Sequence, residues 1–237
     1  MSTQQKSNEP DIQGNLVVLE RRIQAACSAH GREPGSVTLI GVSKTKPLHY
    51  VHQAAALGIQ HLGENYLDEA IDKIRASKDL DLTWHYIGRI QSNKTKDIAE
   101  SFHWVHTVDR IKIATRLHNQ CPPGKRLNVL LQINIDNDPA KAGVLAADAW
   151  PLLRDILSLT NLRPRGLMTI LAQQADPGAS YDLMAQLFAE LRDQLDDEVA
   201  SHWDSLSMGM TDDLEQAIAA GATHIRIGTA LFGARGT

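Results

Sequence analysis

The 237-residue chain is poor in aromatic residues, poor in cysteine and without a long hydrophobic run. Its two cysteines, Cys27 in a helical run and Cys121 in a Cys-Pro-Pro-Gly loop, have neither the spacing of a disulfide framework nor that of a metal site. They read as free thiols of a reducing cytosol. No stretch approaches the roughly 20 apolar residues of a membrane span. Residues 1–10 are too polar for a secretory leader, so a soluble cytoplasmic protein with a flexible start is expected. Neither sign of charge dominates, since the formal net charge is -4. Nucleic acid and anionic membranes are therefore not expected partners. A glycine-rich nucleotide fingerprint is lacking, and the ten histidines show no metal spacing, the pair His103 and His106 included.

What the chain does have is a repeated alternation of short β-branched runs and helical runs. Residues 12–30 place Leu16, Leu19, Ile23 and Ala26 at helical spacing, and Gly31 ends the run. Strands are then expected at 36–42, 59–62, 82–87, 102–106, 127–135, 162–168, 204–208 and 222–227, with helices between them. Ser92, Asp109 and Thr211 are the expected helix caps. About eight strand–helix units in 237 residues, with no linker or low-complexity tract, predict one (β/α)8 TIM barrel domain over 1–237. A doubly wound sheet is the alternative, because strand order is invisible in a sequence.

In such a barrel the site lies at the C-terminal ends of the strands. That rule selects Lys44 after the first strand, Asn65 after the second and Met168 at the end of the sixth. It adds Ser207, Met208 and Gly209 on the seventh, and Arg226, Gly228 and Thr229 on the eighth. Lys44 follows the apolar Leu39-Ile40-Gly41-Val42. Partial burial there would lower its pKa and supply the neutral amine that Schiff-base formation needs. Spacing alone favours a solvated loop lysine, and Lys46 is the rival nucleophile. The Gly228-Thr229 turn, with the small Ser207-Met208-Gly209 turn beside it, suits a phosphate. His85 reads either as a site residue or as a hydrogen-bonded core histidine, and Asp212-Asp213 as first-turn acids of a helix.

Several motifs together carry a family likeness. They are Val42-Ser43-Lys44-Thr45-Lys46-Pro47, Gly63-Glu64-Asn65-Tyr66, Trp84-His85-Tyr86-Ile87-Gly88 with Gln91-Ser92-Asn93-Lys94, and Gly166-Leu167-Met168. Ser205-Leu206-Ser207-Met208-Gly209-Met210 and Arg226-Ile227-Gly228-Thr229 through Phe232-Gly233-Ala234-Arg235 complete the set. In this order they resemble the pyridoxal phosphate homeostasis proteins, over 37–235. Tyr86 and Arg89 depart from the commoner residues of that family, and Arg89 alters charge at the rim.

The resemblance implies the barrel of the alanine racemase N-terminal domain. It implies a covalent Schiff base between Lys44 and pyridoxal 5'-phosphate (PLP). Ser207, Gly228 and Thr229 would bind the phosphate, with the backbone of Met208 and Gly209 nearby. Arg226 would face the pyridine nitrogen, and Asn65 and Met168 would line the ring pocket. An arginine there keeps that nitrogen unprotonated and weakens the cofactor as an electron sink. Racemases of this fold also draw a tyrosine from a second domain, for which this chain has no room. The implied role is a non-catalytic PLP carrier in cofactor and amino-acid/keto-acid balance, a monomer that hands PLP to PLP-dependent apo-enzymes. The competing reading is a PLP-dependent racemase or lyase.

Overall fold

Eight short runs, several of them rich in Val, Ile, Leu and Thr, become the strands of a closed parallel barrel in the computed structural model, which describes residues 9–234. The strands are β1 (Thr38–Val42), β2 (His61–Glu64), β3 (Thr83–Tyr86), β4 (Trp104–Val108), β5 (Leu127–Ile133), β6 (Leu162–Thr169), β7 (Ser205–Ser207) and β8 (His224–Ile227). Each pairs with the next in sequence, and β1 closes on β8 with Ile40 opposite Arg226. The doubly wound alternative is therefore excluded. The expectation of a flexible start falls, for residues 1–8, outside the described residues, as does Arg235 of the last motif.

Helix α1 (Ile12–Ala29) precedes the barrel, and its Ile12, Leu16, Leu19, Ile23 and Ala26 form the buried stripe that a 3.6-residue period produces. Asp11 caps it by accepting the Gly14 N–H at 2.9 Å. The connections hold α2 (Leu48–Ala56), α3 (Leu67–Ala76), α4 (Thr95–Ser101), α5 (Ile111–Gln120) and α6 (Ala149–Leu157). Between β6 and β7 run α7 (Pro177–Arg192) and a short α8 (Asp197–Ala200) that the periodicity does not announce. Then come α9 (Leu214–Ala219) and α10 (Thr229–Phe232). Arg22 of α1 forks onto Glu215 of α9 at 2.7 and 2.8 Å and also donates to the Thr211 carbonyl. Helix α1 is thereby tied to the last turns of the barrel.

The core has two parts. The larger one lies between strands and helices, while Trp104, Leu130 and Met168 form a separate apolar cluster. Side chains of strands that are not neighbours also touch: His106 of β4 meets Ser207 of β7, a contact made only across the barrel interior.

The expected caps differ in detail. Residues Ser92–Lys94 form a 3-10 turn, and Ser92 contributes its carbonyl to Thr95 and Arg116 where a capping hydroxyl was expected. Asp109 pairs with Arg110 and leaves α5 without a side-chain cap. Helix α9 starts after Asp213, three residues beyond Thr211, because Asp213 is committed to Tyr181 and to the Met210 N–H. Short polar residues compete for the same backbone donors, and tertiary partners decide among them.

Candidate functional site

Strand β1 ends at Val42, and Ser43 and Lys44 follow it where the sheet gives way to a turn. Thr45 takes φ 61°, a left-handed conformation that a β-branched residue rarely adopts. The chain thus turns away directly after Lys44. The peptide before Lys44 is held from behind. Lys73 of α3 donates from Nζ to the Ser43 carbonyl at 2.6 Å, to Glu64 Oε1 at 2.7 Å and to Glu69 Oε1 at 2.6 Å. Ser43 Oγ donates to the same Glu64 Oε1 at 2.7 Å. Both Glu64 and Lys73 are buried. Burial pushes the Glu64 carboxyl up from its ordinary range, against the opposing pull of the Lys73 ammonium and the Ser43 hydroxyl.

Opposite, on β8, Arg226 is 5% exposed. Its Nη1 donates to Ser207 Oγ at 2.8 Å and its Nη2 to the Thr169 carbonyl at 2.7 Å. Burial lowers its pKa, partly offset by the Tyr181 and Asp213 oxygens, but a guanidinium starts so high that it stays charged. The loop after β7 is tied by one tyrosine: Tyr181 Oη accepts the Gly209 N–H at 3.2 Å and donates to Asp213 Oδ2 at 2.9 Å. Asp213 Oδ1 in turn accepts the Met210 N–H at 2.6 Å.

Lys44, Asn65, Arg226, Gly228 and Thr229 line one cavity of ≈ 390 Å³, together with Val42, Ile87, Ile170, Met210, Thr211 and Asp212. Five of the nine residues selected from the sequence therefore share it. The other four stand behind or beside it. Ser207 and Met208 are fully buried, Met168 belongs to the interior apolar cluster, and Gly209, at φ 93°, carries the turn held by Tyr181. Asn65 Oδ1 is buried at the cavity with no hydrogen-bond partner among the described residues. That is the signature of a polar group awaiting a ligand or a water. Lys46 lies outside this lining, and its Nζ donates to the Ala234 carbonyl at 2.6 Å. A larger cavity of ≈ 550 Å³ lies at the opposite end of the strands, among Thr38, Leu39, Gln60 and His61, remote in the fold from Lys44.

Two features were not foreseen. Thr211 and Ile170 line the cavity. Lys73 stands at helical spacing with the buried Leu67 and Ala70, a lysine on an apolar stripe that could have flagged it. His85 and His106 are fully buried in the barrel and hydrogen-bonded to each other at 2.9 Å, which selects the core reading of His85. Among the described residues no group of histidine, cysteine and carboxylate side chains is arranged to hold a metal.

Comparison with known proteins accords with this geometry. The profile of the family described as alanine racemase, N-terminal domain, matches residues 15–236. A pyridoxal phosphate homeostasis protein of Pseudomonas aeruginosa is 50% identical over 225 residues, 94% of this chain and 96% of its own length. One from Escherichia coli K12 is 45% identical over 232 residues, 95% of this chain and 97% of its own. Among solved structures, PipY of Synechococcus elongatus with PLP bound superposes with a TM-score of 0.76 at 37% identity, covering 90% of this chain and 100% of PipY. The barrel, the residues gathered at its mouth and these relatives agree: the chain belongs to the pyridoxal phosphate homeostasis protein family, built on the alanine racemase N-terminal barrel.

Proposed function

We propose that this protein holds pyridoxal 5'-phosphate reversibly in the cavity between Lys44 and Arg226 and serves PLP homeostasis without turning over a substrate. The observation that carries the reading is one cavity that joins a lysine amine, a buried guanidinium and an amide oxygen, on Asn65, that has no partner among the described residues. This donor set fits the group. Bound PLP supplies an aldehyde that a primary amine captures as an imine and a ring able to draw electrons from it. Lys44 is the residue that would make the covalent link. Gly228 and Thr229 would meet the phosphate where β8 gives way to α10, and Thr211 adds a hydroxyl to the same lining.

Arg226 decides between storage and turnover. Locked by Ser207 and Thr169, it can only donate hydrogen bonds, so a ring nitrogen held beside it would have to accept and would stay unprotonated. Such a ring stabilises a carbanion poorly, and Lys44 then anchors more than it catalyses. Release of PLP to apo-enzymes in the cytoplasm, from a monomer, completes the proposal. It also draws on the PLP-bound state of PipY and on the names of the relatives.

The test is borohydride trapping of protein mixed with PLP, followed by peptide mass mapping. The reduced pyridoxyl label is expected on the peptide that contains Lys44, and the yellow absorbance is expected to be lost in Lys44→Ala. A label confined to peptides lacking Lys44 overturns the assignment. Sustained racemisation of alanine or serine that depends on Lys44 overturns the non-catalytic part.

A further inference from the structure

Behind Arg226 the barrel interior holds a line of polar side chains. Ser207 Oγ, which accepts from Arg226 Nη1 at 2.8 Å, lies 2.9 Å from His106 Nδ1. His106 Nε2 lies 2.9 Å from His85 Nδ1, and His85 Nε2 lies 2.9 Å from His61 Nδ1. The line thus steps from β8 to β7, crosses to β4, and continues through β3 to β2. It ends at His61, which borders the larger cavity at the other end of the strands.

The direction of these bonds follows from their chemistry. A guanidinium only donates, and a neutral imidazole has one donor nitrogen and one acceptor nitrogen. Ser207 Oγ is fully buried, and among the described residues its partners are Arg226 and His106. Since Arg226 donates to it, the hydroxyl hydrogen goes to His106 Nδ1. His106 must then carry its own hydrogen on Nε2 and give it to His85 Nδ1. His85 does the same toward His61. The reverse direction would leave the Ser207 hydrogen buried without an acceptor, at a cost of about 1–3 kcal/mol. Neutral rings are what this requires, and burial drives His85 and His106 well below the usual histidine range.

We infer that His106, His85 and His61 form a hydrogen-bond chain of a single direction, set by Arg226, and that they act as positioning residues fixing the guanidinium where it meets the ligand. The role toward the ligand rests on the PLP reading above. The direction of the chain does not.

Two measurements decide this. In protein labelled with 15N-histidine, the two- and three-bond 1H–15N spectrum distinguishes the tautomers. His106, His85 and His61 are expected as neutral Nε2–H rings at neutral pH. An Nδ1–H ring or an imidazolium at any of the three overturns the chain. The positioning role is read from PLP titrations of His106→Asn, whose Oδ1 can still accept from Ser207, and His106→Phe, which cannot. The Phe variant is expected to bind about tenfold more weakly and to shift the absorption band, while Asn stays within about twofold of the parent. Equal behaviour of the two overturns the role. If His106→Phe does not fold, Ser207→Ala removes the hydroxyl that joins His106 to Arg226 and carries the same expectation. A parent protein that takes up no PLP would sink the cofactor reading and the positioning role with it, whereas the tautomer spectrum would still decide the chain.

Discussion

Lys73 Nζ sits 2.6 Å from the carbonyl oxygen of Ser43, so a lysine on α3 holds the peptide that precedes Lys44. The same ammonium neutralises Glu64, whose second oxygen, Oε2, is buried with no partner among the described residues. Lys73→Met is expected to cost about 3–5 kcal/mol, because it leaves a buried carboxylate unpaired. Urea unfolding should show a lower midpoint at unchanged slope, and Lys73→Met combined with Glu64→Gln should recover a large part of the loss. A loss below about 1 kcal/mol would mean that Glu64 is already protonated and needs no ammonium.

Stability should fall in mild acid. His85 and His106 sit well below 6.5 in the folded state through burial, and His224 is lowered to about 4 for the same first reason. Between those folded values and 6.5 the unfolded chain binds protons that the native barrel refuses. Stability therefore rises with pH across that window and levels above it. Each of the three histidines contributes up to about 1.4 kcal/mol per pH unit. Asp204 and Glu215, held low chiefly by Arg165 and Arg22, act in the same direction nearer pH 4. Glu64, raised by burial, opposes them. Thermal melts from pH 8 to pH 5 should give a flat Tm down to about pH 7 and a steady fall below about pH 6. A Tm that rises on acidification contradicts the buried neutral rings.

Gly88 has no room for a side chain. A β-carbon there would overlap the carbonyl oxygen of Asn65, and the Gly88 carbonyl is itself held by Thr107 Oγ1 at 2.6 Å. Gly88→Ala is expected to cost about 1–3 kcal/mol and, by displacing Asn65, to weaken PLP uptake. Gly35→Ala meets nothing within 4 Å and serves as the control, with a change inside about 0.5 kcal/mol. Equal PLP affinity in the two variants would show that Asn65 does not contribute.

Lys46 provides a sharper contrast with Lys44. Its Nζ is engaged by the Ala234 carbonyl and lies outside the cavity lining. Lys46→Ala should keep the yellow absorbance and the reduced label at Lys44. Loss of both would transfer the covalent role to Lys46.

The barrel was legible because several strands, β1, β4 and β5 above all, concentrate β-branched and aliphatic residues between helical runs, and the strand-end rule then selected Lys44, Asn65, Arg226, Gly228 and Thr229 together. The failures are local and have local causes. The second strand was placed at 59–62, but it runs His61–Glu64. Gly63 reads as the end of that strand, but the chain continues one residue further to a buried Glu64 that Lys73 holds. At strand ends successive side chains alternate between interior and exterior, so a one-residue offset separates a cavity-lining residue from one such as Ser207 that sits behind the cavity. The histidine chain was illegible for another reason. Its bonds join β2, β3, β4 and β7, and which strands face each other is fixed only when the barrel closes.

The pairing of β1 with β8, Ile40 opposite Arg226, also sets when the site can exist. Lys44 and Arg226 stand 182 positions apart in sequence and become neighbours only through that last seam. A growing chain on the ribosome carries its lysine early and its guanidinium late, and long-range closures of this kind are slow. On the proposed function, cofactor capture would report that folding has finished, and a chain stalled before β8 would have no pocket with which to capture it.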